Sequence, residues 1–151
     1  MKTDRFERFS SAIFKITHYW RKLASEEMKK HGLKGSYALY FVTLSNSEDE
    51  MTAAMLAKAC ARDKADVSRA ISTLQKKGFI KPYPKGAYRA PILLTEEGKN
   101  TASQINKRAS LALVLAGEGL SEKDRHIMQD ALSLISENLE EISENGLPDD
   151  N

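Results

Sequence analysis

Between Asp63 and Lys77 the chain reads DKADVSRAISTLQKK, and at 100° per residue this stretch divides into two chemistries. Val67, Ala70, Ile71 and Leu74 fall together, while Ala65, Ser68, Arg69, Ser72, Thr73 and Lys76 turn the other way. The second set is small, hydroxylic and cationic. Small residues let a helix backbone come close to a surface, hydroxyls bond phosphates or base edges, and an arginine can pair bidentately with guanine. A solvated surface helix also has a polar side, so the face acquires meaning from its neighbours. Those begin with KPYPKGAYRAP, where Lys81, Lys85 and Arg89 stand among Tyr83 and Tyr88. A cationic hairpin of this kind can lie along phosphates or place an arginine in a minor groove.

The elements that must position these residues are legible from periodicity and caps. Asp63 is an N-cap with Asp66 three residues on, and Gly78 supplies a C-terminal stop. Upstream, Met51-Thr52 opens a short helix whose Ala53, Leu56, Ala57 and Cys60 share one side, and a break follows at Ala61-Arg62. Two short capped helices across a tight turn make a helix-turn-helix pattern. Before it, Leu33 to Leu44 carries Tyr37, Tyr40, Phe41 and Leu44 at helical spacing. After it, Phe79-Ile80 and Ile92-Leu93-Leu94 flank the proline-rich segment, which predicts an exposed two-stranded ribbon. Thr95 caps a helix over Glu96 to Gly117 that ends in the apolar run LALVLA. Both chain ends carry heptad-like stripes. Phe6, Phe9, Ile13, Ile16, Trp20 and Leu23 predict a first helix with one narrow buried stripe, closing near His31-Gly32. Met128, Leu132, Ile135, Leu139 and Ile142 predict a last helix begun at Ser121. Such stripes need a partner surface, either each other or a second subunit, and together with LALVLA they lean toward a homodimer.

A chain of 151 residues, 41% of them apolar, is long enough for one core and short for two. The formal charge of +2 names no partner, but its distribution does. From Lys58 to Arg89 nine basic residues oppose two acidic ones, giving +7; from Glu118 onward two oppose ten, giving −8. The middle of the chain is expected to face a polyanion, and its end something else. Cys60, the only cysteine, excludes an internal disulfide and reads as a small buried hydrophobe in a reducing compartment. The charged start MKTDRFERF is no signal peptide and LALVLA is too short to span a bilayer, so a cytoplasmic protein with no membrane partner is expected. His18, His31 and His126 show no metal-ligand spacing, and no phosphate loop, nucleophile elbow or acid–base carboxylate pair is present. No metal, no cofactor and no enzyme activity are expected.

The run MTAAMLAKACARDKADVSRAISTLQKKGFIKPYPKGAYRAPILLTEEGK, Met51 to Lys99, resembles the winged helix-turn-helix core of the MarR family of bacterial transcription regulators, and the terminal helices resemble that family's dimerisation half. The resemblance covers essentially the whole chain. It implies a mainly α fold with a small β-wing, in which residues 33–95 form the DNA-binding lobe and residues 4–31 and 96–145 a helical dimerisation region. It implies a homodimer on a pseudo-palindromic double-stranded operator, acting as a repressor relieved by a small-molecule effector; the competing reading is a winged-helix module for protein contacts. Matching positions add Lys64 and Asp66 to Ala65, Ser68 and Arg69 as recognition residues and make Lys85 and Arg89 the wing contacts. The family's effector cleft would draw on His18, Tyr19, Tyr37 and Tyr40. Two departures stand out: GAYRAP replaces the Asp-Arg-Arg motif of many members' wings, and Asp66 stands where members commonly carry Ser or Thr.

Overall fold

The structure is a computed structural model that describes residues 2–84 and 89–149. These form α1 (Lys2–Lys29), a 3-10 turn (Gly35–Tyr37), α2 (Ala38–Asn46), α3 (Ala53–Ala59), α4 (Lys64–Lys76), α5 (Glu96–Ala116) and α6 (Glu122–Asn145). Each expected cap is made. Thr52 Oγ1 accepts from Met55 N at 3.2 Å, Asp63 Oδ1 from Asp66 N at 2.7 Å, Thr95 Oγ1 from Gly98 N at 3.1 Å and Ser121 Oγ from Asp124 N at 3.1 Å. Each satisfies a backbone donor that the first helical turn leaves open. Gly32 (φ 67°) and Gly78 (φ 82°) take the left-handed conformation at the ends of α1 and α4, which glycine adopts without a Cβ penalty. The turn between α3 and α4 instead uses Ala61 at φ 50°, while Arg62 N bonds Ala57 O at 2.9 Å.

The chain packs as two compact units, residues 1–109 and 110–151. The first holds the core. Met28, Tyr40, Phe41, Leu56, Val67 and Leu74 are fully buried, and Phe41 meets Phe79 edge-on with ring centroids 5.5 Å apart. Thr101, Ala102 and Ile105 are also buried in this unit. The first half of α5, assigned from sequence to the dimerisation region, therefore contributes Ala102 and Ile105 to the same core as α2, α3 and α4.

Among the described residues the ribbon's pairing is shorter and more branched than the two strands expected. Ile80 bridges Leu94, with Lys81 N bonding Leu93 O at 2.9 Å and Thr95 N bonding Phe79 O at 3.0 Å. The return limb also bridges Thr52 through Pro91, as Ile92 N bonds Met51 O at 2.8 Å. Prolines at 82, 84 and 91 remove the donors that a longer ladder would use. Ile92 and Leu94 are buried while Leu93 faces out, the alternation of a strand with one covered side.

The terminal stripes differ from expectation in one respect: the chain does not bury them. Phe6, Phe9, Ile16, Trp20 and Leu23 of α1 are exposed, and none of the residues of α6 is buried. In the second unit Arg125 donates to Val114 O at 3.3 Å and lies over Gly117, where a Cβ would come within 2.7 Å of the guanidinium. Leu120 N bonds Gly117 O at 3.1 Å and closes the turn into α6.

Candidate nucleic-acid interface

Helix α4 is anchored by its apolar stripe, with Val67, Ala70, Ile71 and Leu74 all buried. That leaves Lys64, Ala65, Ser68, Arg69, Ser72 and Lys76 exposed on one flank, with Thr73 half-buried at its margin. Six of the eight residues singled out on this helix thus share an open surface. The Arg69 side chain is 69% exposed.

Asp66 behaves differently. Its carboxylate accepts a hydrogen bond from the hydroxyl of Tyr40 on α2, receives Arg62 Nε at 3.2 Å on the same oxygen, and has Arg69 at 3.8 Å from the other. These donors hold the carboxyl below the usual carboxylate range, Tyr40 first and Arg62 second. Burial, followed by the bond to Asp66, pushes the Tyr40 hydroxyl up to about 12, so it remains a donor at neutral pH. Arg62 was not among the residues singled out from sequence. Its i,i+4 spacing to Asp66 was the available signal; the Tyr40 contact, 26 positions away, had none.

The wing's base is fastened to the same helix. Gln75 Oε1 accepts from Tyr83 N at 3.0 Å, and Tyr83 Oη donates to Ala90 O at 3.0 Å, tying the outgoing limb to the return limb. Burial pushes the half-buried Tyr83 hydroxyl up. Arg89 is exposed just beyond this tie. Lys85 and Tyr88 lie outside the described residues. Lys77, the C-cap of α4 and close to the same end, donates to Gly32 O at 2.6 Å and ties the helix to the end of α1.

The four residues considered for an effector cleft are not alike. His18 and Tyr19 are exposed on α1, their rings 5.0 Å apart and edge-on to each other. Tyr37 and Tyr40 are buried, with ring centroids 6.0 Å apart, and the Tyr40 hydroxyl is committed to Asp66. Cys60 is buried beside Thr43, Oγ1 to Sγ 3.5 Å, and burial pushes its thiol up. Among the described residues no group of His, Cys, Asp and Glu is gathered to hold a metal, and no helix is long and apolar enough to cross a membrane.

No family model and no curated protein matches the sequence. Solved structures do match the fold. A MarR transcriptional regulator from Methanosarcina mazei Go1 superposes with a TM-score of 0.77 at 22% identity, over 90% of this chain and 92% of that one. A MarR-family transcriptional regulator from Listeria monocytogenes, crystallised with a 26mer DNA, gives 0.78 at 21% identity over 93% and 97%. The transcriptional regulator SlyA gives 0.76 at 24% identity over 88% and 94%. With its helix-turn-helix, its short wing and its long terminal helices, the chain has the winged-helix fold of the MarR transcriptional regulators.

Proposed function

We propose that this chain is a MarR-type transcription regulator that binds double-stranded DNA as a homodimer, reading a pseudo-palindromic operator with α4 in the major groove and the wing beside it. The observation that carries this reading is the exposed flank of α4. A helix whose buried stripe is complete presents Ala65, Ser68, Arg69, Ser72 and Lys76 outward, beside a wing limb bearing Arg89. Small, hydroxylic and cationic side chains on a rigidly held helix are what groove binding requires. The likeness to a regulator crystallised with DNA agrees with it. Repression and its relief by a small molecule are what the sequence resemblance to the MarR family implies; for the effector cleft, His18 and Tyr19 are the accessible candidates, and Tyr37 and Tyr40 would take part only as its floor.

The test is selection of bound sequences from a random duplex library with the purified protein, followed by affinity measurements on the selected site. Enriched sites with two-fold symmetry and half-site centres roughly 10 base pairs apart are expected. Arg69→Ala should weaken binding to the selected site by about 1–3 kcal/mol, with a smaller loss on random duplex. A library that yields no enriched symmetric motif, with Arg69→Ala binding as wild type does, would sink the reading and favour the protein-contact module instead.

A further inference from the structure

Three charged side chains meet at the first turn of α4, and their arrangement bears on how the proposed interface discriminates between DNA sequences. Asp66 sits at the third helical position, its side chain 22% exposed, with one carboxylate oxygen shared by Tyr40 Oη and Arg62 Nε and the other facing Arg69. Tyr40 is only 1% exposed and belongs to the core, so the carboxylate is pinned from beneath. Arg62, in the turn before the helix, bonds that one anion, and Arg69, one turn further along, keeps a terminal nitrogen within 3.8 Å of it while the rest of its side chain stays open to solvent. An acidic residue on a DNA-facing helix opposes phosphates, so its presence calls for a reason.

We infer that Asp66 is a specificity-determining residue that acts by restraint: it occupies Arg62 and Arg69 so that they do not bind phosphate indiscriminately, while leaving their remaining donors available to a matched site. The inference rests on the DNA-binding reading above. The geometry separates the two situations. Arg62 bonds Asp66 through Nε, so its terminal nitrogens stay available; Arg69 approaches through one terminal nitrogen at 3.8 Å, and a guanidinium carries five donors. On a matched site Arg69 can reach a base edge while keeping its acidic neighbour. On random DNA, affinity comes almost wholly from phosphate contacts, and the Asp66 charge within 4 Å of both guanidinium groups offsets part of their attraction for phosphate. A charge arranged against the wrong partner is a recognised route to discrimination. The depressed carboxyl of Asp66 keeps the restraint charged at neutral pH.

The experiment measures binding of the full-length protein to its selected operator and to a random duplex of equal length, each over a salt series, for wild type, Asp66→Asn, Tyr40→Phe and the double variant Arg62→Gln/Asp66→Asn. Asp66→Asn is expected to tighten random binding about three- to tenfold, the scale of exposed ion pairs summed over two subunits. Its salt slope should steepen by up to about two units per subunit, one for each arginine released. Operator affinity should change less, so the operator-to-random ratio falls. Tyr40→Phe, which unpins the carboxylate and keeps the ring, should move both quantities in the same direction by less. The double variant should lose the part of the steeper slope due to Arg62. A merely structural role would lower both affinities together and leave the slope alone, and that pattern in Asp66→Asn and Tyr40→Phe overturns the inference. A wild-type protein with no salt-dependent duplex binding would overturn the DNA-binding reading itself, an outcome distinct from a wild type that binds while its variants discriminate unchanged.

Discussion

At the scale of single residues, Asp66 couples the interface to stability as well as to charge. Its carboxyl is held below the ordinary carboxylate value of about 3.9, mainly by Tyr40 and then by Arg62. A group whose folded-state pKa is depressed contributes stability above its unfolded value, and that contribution is lost as pH falls through the folded one. Urea unfolding of wild type and Asp66→Asn should therefore differ most above about pH 5 and converge as pH falls through the depressed value of the folded carboxyl. Two curves that stay parallel across that range would show that the Tyr40 and Arg62 contacts add nothing to the folded state. Asp66 and Arg69 were both legible in the sequence as members of an N-terminal helical turn. Arg62 was not, because its role depends on a carboxylate whose orientation is set by the hydroxyl of a buried tyrosine.

At the scale of elements, the junction between the wing and α5 depends on a close backbone approach. A Cβ on Gly98 would stand 2.1 Å from Phe79 O and 3.2 Å from a Leu94 methyl, at the point where Thr95 N bonds the same carbonyl. Alanine is the better helix former by about 1 kcal/mol, but relieving this contact means moving backbone, which typically costs roughly 1–3 kcal/mol. The clash should win. Gly98→Ala is expected to lower stability on denaturant unfolding, and a stabilised variant would mean that α5 can withdraw from the wing freely. The wing itself is testable through charge: replacing Lys85 and Arg89 together by Ala should weaken operator and random duplex alike and flatten the salt slope by up to about two units per subunit. An unchanged slope would remove the wing from the DNA. Proline spacing announced a ribbon between Phe79 and Leu94, yet its pairing with Met51-Thr52 was invisible, since long-range bridges leave no mark in local periodicity.

At the scale of the whole molecule, the exposed apolar surface calls for an explanation. Phe6 and Phe14 are each 74% exposed on α1, and the second unit separately exposes Leu113, Val114, Leu115, Leu134 and Leu139. Single exposed apolar residues are ordinary, whereas runs of them on amphipathic helices mark interaction surfaces. A homodimer is the expected occupant, and sedimentation at low micromolar concentration should give twice the 16.9 kDa chain mass. Leu139→Glu, which puts a charge in the α6 stripe, should weaken that dimer by roughly 2 kcal/mol if the residue is central to the interface. A wild-type chain sedimenting as a monomer would count against the obligate dimer, and with it against paired half-sites.

What the sequence determined by itself were the helix caps and apolar stripes, which neighbours a few positions apart govern. Thr52, Asp63, Thr95 and Ser121 cap helices because each is a short polar residue immediately ahead of a helical run, and the buried stripe of α4 follows from a period of 3.6 residues. The stripes of α1 and α6 were equally plain as patterns, but a pattern states only that a face is apolar and not what covers it; within this chain the exposed members of those stripes are left uncovered. Only the tertiary structure decided that Tyr40 belongs to the core with its hydroxyl on Asp66, that Lys77 reaches back 45 positions to Gly32, and that the first half of α5 joins the core of α2, α3 and α4. Each of these joins residues far apart in the chain, and such contacts are selected by the packing of a whole core rather than by any local preference of the segments that make them.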